Sequence, residues 1–69
     1  VSTMLNYIKE ERLKKQLTQT ELADLVNVSR QTICSIEINK YNPSVILAMK
    51  LAKVLGRKVE QLFIVEETD

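Results

Sequence analysis

Apolar positions recur every three or four residues along most of the chain, in blocks separated by short polar stretches, and this period predicts helices. The first helix is expected from about Leu5 to Gln16, with Leu5, Ile8 and Leu13 as apolar points among charges. Thr18-Gln19-Thr20-Glu21 has the form of a capping box and opens a second helix, Gln19 to Val26. Leu17 and Leu22 stand at the two positions of a hydrophobic staple, and Leu22, Ala23 and Val26 form the inner face. Asn27, a residue that tolerates left-handed backbone, stops this helix. Ser29 then caps a third helix from Arg30 to about Ile38. Only Asn27, Val28 and Ser29 separate the two helices, which is too short for antiparallel packing and predicts a sharp corner of roughly 90–120°.

A loop over Asn39 to Pro43 follows, and Ser44 caps a fourth helix, Val45 to Leu55, whose inner stripe is Leu47, Ala48, Leu51 and Leu55. Gly56, the only glycine, stands just past that helix, where a left-handed terminator belongs. A short fifth helix is expected from about Val59 to Phe63. Residues 63 to 65 are strand-formers that either lengthen this helix or turn into a short strand. The fold class is therefore all-α: a compact five-helix domain spanning residues 1–69, with room for a short C-terminal strand.

The third helix separates its residues into two arcs when wound at about 100° per residue. Thr32, Ile33 and Ile36 fall on one arc, suited to packing against Leu22 and Val26. Arg30, Gln31, Cys34, Ser35 and Ile38 fall on the other, which must face outward. Its leading edge starts at a helix N-terminus, which favours anions. An α-helix fits the major groove of DNA, where Arg pairs bidentately with guanine O6 and N7 and Gln with adenine N6 and N7, each pair discriminating by about 1–3 kcal/mol.

Charge changes the picture only once it is mapped. The net charge is +1, but residues 1–58 hold all ten Lys and Arg against five acids, a balance of +5, and residues 59–69 carry −4. A basic body suits a polyanion. There is no histidine, no pair of acids placed for catalysis and no phosphate-cradling glycine loop, so an enzyme is not expected, and neither is a cofactor or a metal site. The longest apolar run, Val45 to Met49, is far too short to span a bilayer, so no membrane is expected as a partner. With no export signal and one free thiol, Cys34, the expected location is the cytoplasm.

Residues 18 to 47, TQTELADLVNVSRQTICSIEINKYNPSVIL, resemble the lambda-repressor-like (Xre/Cro class) helix-turn-helix family. The likeness rests on Thr18-Gln19, Leu22-Ala23, Val28-Ser29, Ile33, Ile36-Glu37 and Asn42-Pro43-Ser44, and it continues to Phe63. The run IEINKYNPS is similar to short stand-alone repressors of the cytolysin-repressor type. The resemblance implies five helices, a helix-turn-helix core at 18–38 and a third helix that enters the major groove of double-stranded DNA. It implies that Arg30 and Gln31 read bases, with Cys34 and Ser35 deeper in the groove. Gln19, Ser29, Lys40 and Tyr41 match positions that grip phosphate, and Arg12 and Glu37 match a pair tying the first helix to the end of the third. A carboxylate so near a DNA backbone would in any case need neutralising. The chain departs from the family's pattern in three places, four residues in all: Asn27 replaces a common Gly, Cys34 a usual Ser, and Ile38-Asn39 a common Asn-Gly. Cys34 reads either as a small residue in place of Ser or as a thiol whose oxidation would obstruct the groove.

The C-terminal segment, about 57–66, has more apolar residues than one side of a small core needs. Val59, Leu62, Phe63, Ile64 and Val65 either cover the base of the protomer's own core or form a dimer interface, and the second is expected. A two-fold dimer sets two reading helices about 34 Å apart on a near-palindromic operator. The function expected is thus a homodimeric transcriptional repressor with no small-molecule ligand domain. The alternative is an antitoxin-like protein-interaction module built on the same fold.

Overall fold

The computed structural model describes residues 2–67. Their elements run β1 (Ser2–Asn6), α1 (Ile8–Lys14), α2 (Gln19–Leu25), α3 (Arg30–Glu37), α4 (Val45–Leu55), α5 (Val59–Leu62) and β2 (Phe63–Glu67). All five expected helices form, the first of them starting only at Ile8, and a small antiparallel sheet joins the two ends.

Helix starts follow the capping chemistry. Thr18 Oγ1 accepts from the Glu21 amide at 3.0 Å, and the Glu21 carboxylate accepts from the Thr18 amide at 2.8 Å. Ser29 and Ser44 cap α3 and α4 in the same way, accepting from the amides of Thr32 and Leu47.

The helix ends share one device. Gln16, Asn27, Asn39 and Gly56 all have left-handed backbone, with φ of 58°, 61°, 63° and 68°. After each of them the next amide reaches back over the last turn: Leu17 to Arg12, Val28 to Ala23, Lys40 to Ser35 and Arg57 to Ala52. This six-to-one closure satisfies carbonyls that the helix leaves open. Leu17 and Val28, the residues making the first two closures, also pack on the core.

The core is assembled from Ile8 of α1, Leu22 and Ala23 of α2 with Val26 just after it, Ile33 and Ile36 of α3, Leu47, Ala48, Leu51, Ala52 and Leu55 of α4, and Leu62 and Phe63 at the other end. These residues form one cluster. The tight α2–α3 corner lets Ile33 and Ile36 bury completely together with Leu22 and Val26.

One expectation at the N-terminus is corrected. Leu5 lies in a strand, not a helix, because residues before Tyr7 pair with the C-terminus: Met4 opposes Val65, Leu5 opposes Ile64, and Asn6 opposes Phe63. Leu13 is exposed, since Ile8 and Arg12, four residues apart, hold the inner side of α1 and Leu13 is turned away from it. The open choice at residues 63–65 is settled as strand. No helix among the described residues is long and apolar enough to cross a membrane.

Candidate nucleic-acid interface

The outer side of α3 is polar because its inner side is fully occupied. Ile33 and Ile36 have no exposed surface, while Arg30 and Gln31 are exposed and Cys34 and Ser35 are half-buried beside them. Thr32, expected on the inner arc, is half-buried, and its hydroxyl lies 3.0 Å from Ser29 Oγ. A shallow concavity of about 280 Å³ is lined by Ser29, Gln31, Thr32, Ser35, Lys40 and Tyr41. The fold thus brings five of the sequence-predicted residues together and adds Thr32. Arg30 and Cys34 lie on α3 outside that lining.

The one acid on α3 is neutralised in place. Arg12 Nε donates to Glu37 Oε2 at 2.7 Å, and Arg12 Nη2 to Oε1 at 3.3 Å. Gln19 Nε2 donates to the same Oε1 at 3.0 Å, and Arg12 Nη1 donates to the Leu17 carbonyl at 2.8 Å. Glu37 keeps only 3% of its side chain exposed. A forked guanidinium is suited to this bidentate, enclosed pairing. Gln19 is half-buried and part of this network, so one of its amide hydrogens is already committed.

A second groove, of about 310 Å³, continues the first through the shared residues Thr32 and Tyr41. It runs between the α2–α3 turn and the start of α4, past Ser44 and Ile46 to Lys50. Among the described residues Lys50 has no carboxylate partner, whereas Lys14 and Arg57 both lie against Glu11, at 3.1 and 3.4 Å.

The expected dimer residues divide. Leu62 and Phe63 are buried in the protomer's own core and have no face left for a partner, which corrects their assignment. Val59 is half-buried on the same core. Ile64 and Val65 are exposed, at 36% and 62%, and Leu5, opposite Ile64, is exposed with them. Opposed residues of an antiparallel pair share a face, so Leu5 and Ile64 lie on the outer side of the sheet. Val65 shares the inner face with buried Phe63 and with Met4, which packs on the core, yet is itself open. α4 also presents Val45, Ile46 and Met49 to solvent, an apolar stripe the sequence reading did not single out.

Comparison with known proteins agrees with this geometry. A helix-turn-helix family model matches residues 8–62. The chain is 48% identical over 66 residues to an uncharacterized HTH-type transcriptional regulator of Methanocaldococcus jannaschii, covering 96% of this chain and all of that one. It is 39% identical over 61 residues to the immunity repressor protein of Bacillus phage phi105, covering 88% of this chain and 42% of the repressor. The restriction-modification controller protein of Aeromonas hydrophila superposes with a TM-score of 0.73 at 30% identity, over 78% of this chain and 82% of that one. With its capped two-helix corner, buried inner face and polar outer face, the chain belongs to the lambda-repressor-like helix-turn-helix family of DNA-binding transcriptional regulators, and not among enzymes.

Proposed function

We propose that this chain is a cytoplasmic, homodimeric repressor that recognises a near-palindromic operator through the major groove. The observation that carries the reading is the state of α3: apolar side buried, acid cancelled, Arg30 and Gln31 exposed at its leading edge. Arg30 and Gln31 read base edges, with Cys34 and Ser35 behind them. Ser29, Lys40 and Tyr41 grip phosphate around the concavity, and Gln19 contributes the amide hydrogen that Glu37 leaves free. Similarity to a phage immunity repressor supports repression as the mode.

The dimer is supported by the ribbon. Two strands alone are marginally stable in water, and this pair exposes Leu5, Ile64 and Val65. A second copy covering the outer face, at Leu5 and Ile64, sets two α3 helices about one DNA turn apart. Selection of bound duplexes from a random pool tests the whole reading. A two-fold consensus with half-sites one turn apart is the expected result, and recovery of unrelated sequences contradicts it.

The exposed stripe Val45, Ile46 and Met49 favours a second reading, an antitoxin-like protein-interaction module. Under that reading the chain co-purifies in fixed ratio with a protein encoded beside it, and selected duplexes show no consensus.

A further inference from the structure

We propose that Asn6 is a positioning residue that straps the terminal ribbon to the last turn of the DNA-reading helix and so sets the angle at which that helix is presented. Asn6 is the last residue of β1, half-buried opposite Phe63. Its Nδ2 donates to the Ile36 carbonyl at 2.8 Å and to Asn39 Oδ1 at 2.8 Å. Its Oδ1 accepts from the Ile8 amide at 3.1 Å, at the start of α1. One side chain therefore joins β1, α1 and the end of α3, with partners 30 and 33 residues away. The amide has one workable orientation: turned over, its oxygen would face the Ile36 carbonyl and its NH2 the Ile8 N–H.

The geometry around Ile36 shows what the strap holds. The Ile36 carbonyl accepts from the Asn39 amide as well as from Asn6, and Asn39 is the left-handed residue that turns the chain out of α3. Lys40 and Tyr41, which line the concavity, follow directly. Next to Ile36, Glu37 is pinned by Arg12 and Gln19. The last turn of α3 is thus held on one side by α1 and α2 and on the other by the ribbon. The ribbon is also the proposed dimer surface, and the strap rests on that reading for its role in half-site spacing. Through Asn6, a ribbon fixed against a second copy fixes the pitch of α3.

Asn6→Asp separates the two jobs of the side chain. The carboxylate still accepts from the Ile8 amide, but it has no hydrogen for the Ile36 carbonyl. Asn39→Gly is the companion variant: it keeps the left-handed turn and removes the Oδ1 acceptor. Three quantities are measured on folded, full-length protein: the operator-to-scrambled affinity ratio, the dimer dissociation constant by sedimentation, and amide exchange at Ile38, Asn39 and Lys40. For Asn6→Asp, a ratio lower by about tenfold, an unchanged dimer constant and faster exchange at those amides support the strap. Asn39→Gly, which loses one of the two bonds, shifts the ratio in the same direction by less. An unchanged ratio in a folded variant overturns the proposal, as does a ratio that falls only because the dimer dissociates. If the unsubstituted protein shows no preference for any duplex, the DNA-reading assignment itself fails. The strap is then judged by exchange alone: acceleration confined to the end of α3 upholds it, and unchanged exchange removes it.

Discussion

Arg12 Nε donates to Glu37 Oε2 at 2.7 Å in a pocket nearly closed to water, joining the inner side of α1 to the end of α3. Such a pair is costly to break from one side, because the remaining charge is left buried without a partner. Arg12→Ala should lose about 3–5 kcal/mol, a third or more of the roughly 3–10 kcal/mol expected for a domain of this size. The paired replacement Arg12→Met with Glu37→Leu should recover most of that loss. Urea unfolding of the single and double variants checks both statements, and additive losses would show that the pair is not coupled.

The left-handed helix ends give a second prediction. Gln16, an exposed residue with a Cβ, adopts φ 58°, so Gln16→Gly should stabilise the protein by about 1 kcal/mol. Gly56→Ala should cost about 1–2 kcal/mol through backbone alone, since a Cβ there meets only Lys15 Nζ, at 3.7 Å. Thermal unfolding reads the two shifts, which should have opposite signs.

Base reading and phosphate gripping predict different binding defects. Gln31→Ala should relax preference at one operator position, at a cost of about 1–3 kcal/mol on the preferred duplex. Lys40→Ala should weaken all duplexes alike and lower the salt slope by about one. Mobility-shift titrations at several salt concentrations separate them. Equal losses on operator and scrambled DNA for both variants would contradict the assignment.

The dimer surface is open to a direct contrast. Ile64→Glu places a charge on the outer face of the ribbon and should weaken dimerisation about tenfold or more in sedimentation experiments. Met49→Glu, on the exposed stripe of α4, should leave it unchanged. The reverse outcome would move the interface from the ribbon to α4.

Local signals in the sequence carried the helices. Thr18, Ser29 and Ser44 each announced a start, and Asn27 and Gly56 each announced an end, because capping and left-handed termination depend on near neighbours. The burial of Ile33 and Ile36 followed from period alone, and with it the outward direction of Arg30 and Gln31. The strand β1 was not legible: its partner lies at the far end of the chain, and the charges after Leu5 continue a helical pattern into it. Leu62 and Phe63 were ambiguous as well, because apolar character fits a core and an interface equally well and only tertiary packing decides between them. Asn6 carried only a faint sign, an Asn two residues before the first helical residue, and its bonds to Ile36 and Asn39 depend on tertiary structure.

Amide chemical-shift mapping with a selected duplex tests most directly which surface meets DNA. The largest changes should fall on residues 29–35 and on Lys40 and Tyr41, with α1 and the outer stripe of α4 quiet. Changes concentrated on Val45, Ile46, Met49 and Lys53, with Arg30 and Gln31 unmoved, would contradict it.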